Sequence, residues 1–282
     1  MDRHGYIGRK MRQPSLYKEP AIIIAAFGSS RRGKAAYALL EQKLQETFPD
    51  REIFWSFSSD IIRKKSGSQS LHQVLAAAEA AGYKKAVVQP LHVFPGTEYQ
   101  QIRETCEYFP GMRVITGETL MHRWDFIEEM LTAVSSEFIA AEAGFNILVL
   151  HGTPLAADPV NAVYLGLEKM VTDLYDNVFC VSVEGVPSYQ GLIRGLKATG
   201  NNKNKRVHLI PLMYLAGLHV EDDLMGDEES WKKALEEIGF TVTCAVTEYE
   251  GERYFKGLAF YPEAITALVE RLQRSLSLSR YY

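Results

Sequence analysis

Cysteine is scarce in this chain: 282 residues contain three, Cys106, Cys180 and Cys244, far apart and odd in number. Such spacing makes neither a disulfide framework nor a CxxC metal pair, and it suits reduced thiols in a cytoplasmic protein. Positive charge is not in surplus either, since 31 Lys and Arg stand against 35 Asp and Glu for a net charge of -4. Binding a phosphate backbone takes a clustered basic excess, so composition argues against a nucleic-acid partner. No run approaches the ~20 uninterrupted apolar residues of a membrane span. The opening MDRHGYIGRKMRQPSLYKEP also lacks the apolar stretch of a secretory signal. What these absences leave is a cytoplasmic globular chain, 46% hydrophobic and 23% charged, long enough for one large or two medium domains.

What is present is a regular alternation of short β-branched runs with longer helical patterns, which predicts an α/β protein built on mainly parallel sheets. Strands are expected near Ala21 to Ala26, Ile53 to Ser56, Ala86 to Pro90 and Val114 to Thr116, then near Asn146 to Leu150, Val178 to Val183, Arg206 to Leu212 and Thr241 to Val246. Helices are expected over Lys34 to Thr47, Leu71 to Ala81, Trp124 to Ala143, Pro159 to Leu174, Ser230 to Ile238 and Pro262 to Leu276. The two series read as copies of one unit. AIIIAAFGSS matches NILVLHGTP, and QPLHVFPGTEY matches IPLMYLAGLHV, with Pro-Leu and a later Gly at the same spacing. This predicts an N-terminal extension over 1–20, a first lobe over 21–130 and a second over 131–282.

In open parallel sheets ligands bind beyond the carboxyl ends of the strands. His151, Glu184 and His219 are all expected there. His151 replaces the apolar Phe27 of the first copy, and an ionisable group at a repeated position costs burial energy unless something uses it. The alternative is a core His bonded to a neighbouring carbonyl. His219 matches Glu98, so potential ligands or proton carriers occupy corresponding places on the two lobes. Glu184 precedes Gly185, Val186 and Pro187, where the chain must turn, and as a helix-terminal acid it would have a purely structural role. Two imidazoles and a carboxylate suit Zn, Co, Ni or Fe better than Mg or Ca.

The segments FGSS, FWSFSSDIIRKK, QPLHVFPGTEY, LHGTP, VEGVPSY and HLIPLMYLAGLHVEDDLMGDEESWKKALEEIGF together resemble the anaerobic-type sirohydrochlorin cobaltochelatases, ATP-independent chelatases grouped with ferrochelatase. The likeness runs in order from about Ala21 to Phe260. It implies a two-lobed chelatase fold that inserts Co²⁺ into sirohydrochlorin during anaerobic cobalamin synthesis, with His151, Glu184 and His219 at the metal, His151 as proton acceptor and Glu98 as the acid of the opposite wall. Fe²⁺ or Ni²⁺ would suit the same ligands, and no ATP is implied. Leu218 stands where an Asp may precede the metal His, and LHGTP differs from the GHGA form of some members. Substrate contacts are expected from His92, Phe94, Tyr99, Tyr214, Leu215 and Leu218, with core packing as the other role for the apolar ones. Arg31, Arg32 and Lys34 are candidates for the carboxylate rim of the tetrapyrrole, and Arg63, Lys64 and Lys65 form a second basic run. His92 is left with three roles: substrate contact, ligand for a second metal or haem, or structural residue. The acids from Glu221 to Glu229 read as a solvated surface ahead of a helix capped by Ser230.

Two rival functions compete. Gly28 to Ala35, GSSRRGKA, fits the first seven positions of a phosphate-binding loop, but Ala35 replaces the Ser or Thr that would hold Mg²⁺. A non-catalytic protein clasping metal or tetrapyrrole between two lobes is the other, and turnover separates it from an enzyme. Homo-oligomerisation is left open by the sequence.

Overall fold

The computed structural model of the protein describes residues 19–28, 33–198, 205–217 and 220–281. Strand β1 (Ala21–Ala26) is buried at every residue, as a parallel strand covered on both faces requires. It pairs in parallel with β2 (Ile53–Phe57) and β3 (Lys85–Pro90), and β4 (Arg113–Thr116) extends the sheet to give the order β2-β1-β3-β4. The second half repeats this: β5 (Gly144–Gly152) lies between β6 (Val178–Glu184) and β7 (Arg206–Pro211), and β8 (Thr241–Cys244) completes the order β6-β5-β7-β8. Identical strand order in two all-parallel sheets is the structural counterpart of the sequence repeat.

The helices are α1 (Gly33–Thr47), α2 (Asp60–Ser66), α3 (Leu71–Ala81), α4 (Thr97–Glu107), α5 (Trp124–Val134), α6 (Val160–Leu174), α7 (Tyr189–Ala198), α8 (Trp231–Glu237) and α9 (Pro262–Leu278). Side-chain alternation sorts each strand between two layers. Ile22 and Ile24 of β1, with Leu148 and Leu150 of β5, join one central core shared with α1, α5, α6 and α9. Ile23 and Ala25 face an outer core under α3 and α4, whereas Ile147 and Val149 face another under α7 and α8. The halves therefore share their largest apolar layer.

Ownership of the helices in that layer is crossed. α9, from the second half, lies on α1, β3 and α5 of the first. α5, from the first half, presses the Trp124 indole so closely on α6 that a Cβ at Gly166 would sit 2.6 Å from it. The loops after β3 and β7 are held in matching ways. Leu120 and Met121 N–H groups donate to His92 O and Val93 O at 3.1 and 2.7 Å, and Leu258 and Ala259 N–H groups donate to Met213 O and Tyr214 O at 2.8 and 3.0 Å.

Most expected elements form, with some changes of extent. The helix expected to reach Ala143 ends at Val134, followed by a 3₁₀ turn over Ser135–Glu137. Ser135 and Ser136 hydroxyls donate to Thr132 O and Ala133 O, and the Asn146 side chain then takes both the N–H and the C=O of Ile139, drawing that segment into an extended path. The strand expected over Thr241 to Val246 is interrupted after Cys244. Its continuation, β9 (Val246–Tyr249), pairs with β10 (Glu252–Phe255) as an antiparallel hairpin. No helix among the described residues is long and apolar enough to cross a membrane.

Candidate functional site

The site is assembled from strand ends. Parallel pairing sets Gly152 of β5 opposite Glu184 of β6, so His151 precedes the partner of Glu184 by one residue. Gly152 is needed for that approach: its φ is +79°, and a Cβ there would lie 1.8 Å from Glu184 O. The Thr153 N–H donates to the same carbonyl at 3.1 Å, which continues the pairing past the strand. Both His151 and Glu184 have exposed side chains, and His151 Nδ1 lies 3.3 Å from Gly152 O. Beyond Glu184 the Ser182 hydroxyl donates to Val186 O at 2.7 Å, pinning the turn.

Opposite this edge stands the loop after β3. His92 Nε2 and Glu98 Oε2 are 3.0 Å apart; the His92 side chain is 12% exposed, that of Glu98 54%. Glu98 is in the first turn of α4, where the helix dipole favours a carboxylate. The hydrogen bond with His92 holds its carboxyl below the usual glutamate range, against the opposing effect of burial, and the charges on His92 and His151 act in the same downward sense. Asp158 pushes it up. Glu98 thus lies within electrostatic range of His151 and is held in its ionised form. His92 Nδ1 is buried with no hydrogen-bond partner among the described residues.

The other expected contacts are distributed differently. Phe94, Tyr99 and Tyr214 are all less than 10% exposed. Phe94 packs edge-on against Tyr164 of α6, and Tyr214 stacks on Tyr37 of α1 at 6.3 Å between ring centroids. The Tyr99 hydroxyl donates to Gly117 O at 3.3 Å and its ring meets His122. These rings join the halves or fill a core. Phe27, the counterpart of His151, is by contrast 53% exposed at the end of β1. Arg63 is committed locally: it donates to Phe57 O and Ser58 O and pairs with Asp60. Arg31, Arg32, Leu218 and His219 lie outside the described residues, as do Ser29 and Ser30 of the loop with the partial phosphate-binding pattern. Ser230 caps α8 as expected, accepting from Lys233 N–H at 3.2 Å. Among the described residues no three His, Cys, Asp or Glu groups come together to hold a metal, in the acidic stretch or elsewhere.

Residues 20–276 match the family model described as cobalt chelatase (CbiK). Over 246 residues the chain is 29% identical to the sirohydrochlorin cobaltochelatase CbiKC of Nitratidesulfovibrio vulgaris, covering 82% of this chain and 85% of that protein. It is 26% identical over 271 residues to the sirohydrochlorin cobaltochelatase of Salmonella typhimurium, covering 92% and 97% of the two chains. Among solved structures, SirB from Bacillus subtilis with Fe³⁺ is similar at a TM-score of 0.63 and 14% identity, with 93% and 97% of the chains covered.

Proposed function

The chain belongs to the cobalt chelatase family, and from that premise we propose that it inserts Co²⁺ into sirohydrochlorin without nucleotide, in the cleft where the ends of β5 and β6 face the loop after β3. It is a chelatase enzyme, with a divalent metal and a tetrapyrrole as its two substrates. The reaction takes one metal ion and one macrocycle carrying two pyrrole N–H groups, and it yields the metallated macrocycle and two protons. The site must therefore hold a metal loosely and receive protons. His151 and Glu184 supply an imidazole and a carboxylate on neighbouring strand ends, and His219 completes the proposed donor set. Neutral imidazole ligates and accepts protons, so metal binding and deprotonation are favoured by the same rise in pH through the imidazole range. Glu98, kept ionised by His92, takes up protons on the opposite wall.

The observation that carries this reading is the register of Gly152 against Glu184, which supports a shared site for His151 and Glu184 at one sheet edge. The test is a spectroscopic insertion assay with sirohydrochlorin and Co²⁺, Fe²⁺ or Ni²⁺ supplied separately, with and without ATP. Co²⁺ insertion without ATP is expected. His151→Ala is expected to lower kcat/KM at least ~100-fold, or roughly 2.7 kcal/mol of barrier, with the fold retained. A strict ATP requirement, or a folded His151→Ala, His219→Ala double variant inserting Co²⁺ at the normal rate, would defeat the respective parts of the proposal. Stoichiometric binding of both substrates without turnover would favour a carrier.

A further inference from the structure

Helix α4 starts without a side-chain cap, because its N-cap residue is Gly96. Helix α6 also starts without one, its N-cap residue being Pro159. One oxygen serves both: Asp158 Oδ1 accepts from the Thr97 N–H at 3.2 Å and from the Val160 N–H at 3.0 Å. The first bond crosses between halves, since Thr97 follows β3 whereas Asp158 follows β5. The fit is close, as a Cβ on Gly96 would stand 3.2 Å from both Asp158 Oδ1 and Val160 Cβ. Glu98 is the residue after Thr97, and Asp158 ends the loop that follows His151 and Gly152 at the end of β5. Phe94 against Tyr164 closes the same seam with apolar surface.

We propose that Asp158 is a positioning residue for metal insertion, holding the wall that bears Glu98 at a fixed distance from the strand end that bears His151. This rests on the function proposed above. The physical need is plain, because proton transfer between walls depends steeply on separation, and a misplacement of about 1 Å can cost ~100-fold. A cap within one helix would stabilise that helix alone. An oxygen divided between two helices from different halves also fixes their spacing, and it does so beside the groups that handle protons. The negative charge of Asp158 reaches Glu98 as well, where it offsets part of the effect of His92.

The test compares Asp158→Ala, Asp158→Asn and Ser70→Ala in the full-length protein. Ser70 caps α3 through a reciprocal pair with Gln73, within one half of the molecule, and supplies a control for simple loss of a cap. Asp158→Ala is expected to lower kcat at least about tenfold while KM for Co²⁺ stays within about twofold, and Asp158→Asn, which keeps the accepting oxygen, to recover kcat to within about threefold. Ser70→Ala is expected to lower thermal stability only. Amide exchange measured by NMR provides a readout independent of turnover: the Thr97 and Val160 amides are both expected to exchange faster in Asp158→Ala, by about tenfold or more. Unchanged exchange at Thr97 would overturn the bridge, and a kcat for Asp158→Ala within twofold of the parent would overturn the positioning role. If the parent protein fails to insert Co²⁺, the functional reading falls while the exchange measurement still decides the bridge.

Discussion

A single residue can be read from sequence only as far as its neighbours in the chain determine its surroundings. His151 and Glu184 were legible at strand ends because apolar runs lead directly into them. The pairing of His92 with Glu98 was not, since it depends on how the loop after β3 folds back over the first turn of α4. Phe94, Tyr99 and Tyr214 illustrate the converse limit: an aromatic next to a candidate ligand can line a cleft or seal a seam, and the partners that decide this, Tyr164 and Tyr37, are far away in sequence. His208 gives a residue-scale prediction. Burial lowers the affinity of its imidazole for a proton, with Glu137 opposing the shift and Arg206 adding to it, and its Nδ1 lies 2.8 Å from Thr243 Oγ1. The unfolded chain then binds the proton more tightly than the folded one, so the contribution to stability is present above about pH 6.5 and is lost as the pH falls through the depressed folded value. Urea midpoints between pH 7.5 and 5 should fall less steeply for His208→Gln than for the parent. Parallel slopes would refute this.

At the level of elements, periodicity succeeded where an apolar face is broad and failed where it is narrow. The strands of both sheets were legible because burial on two faces leaves almost no polar residues in β1 or in the ILVL of β5. Helix α4 was not, since only Tyr99, Ile102 and Cys106 of its eleven residues are buried. The short strands of the β9–β10 hairpin carry too little apolar alternation to be legible, although the Glu250–Gly251 turn between them has positive φ at both residues. Nor can a pattern within one helix name the element it packs on, which is why the crossed docking of α5 and α9 was hidden. Arg271 fastens that crossing. It is 3% exposed, donates to Glu129 Oε2 at 2.7 Å, and sets its guanidinium 3.7 Å from the Phe126 ring centroid. Arg271→Ala is expected to destabilise the protein by roughly 2 to 4 kcal/mol, because it removes the packing of a buried side chain together with its cation–π contact. Arg271→Met, which keeps the packing, should cost less. Urea unfolding measures both, and a loss below about 1 kcal/mol for the alanine variant would show that the clamp contributes little.

Across the whole molecule, two similar sheets do not amount to two independent units. The central core draws on both sheets and on helices from each half, so a fragment ending before β5 would lack α9 and expose the face of β3 and α1 that α9 covers. Residues 19–143 expressed alone are expected to lack cooperative unfolding by circular dichroism, and co-expression with 144–281 to restore a soluble complex. A cooperatively folding isolated fragment would contradict this. The same crossing bears on how the chain is made. Synthesis proceeds at about 5–20 residues per second, so α9 leaves the ribosome roughly 7 to 30 s after the end of α5. Throughout that interval the part of β3, α1 and α5 that α9 covers stays open to water, and the nascent chain presents to chaperones a surface that its own last helix later closes.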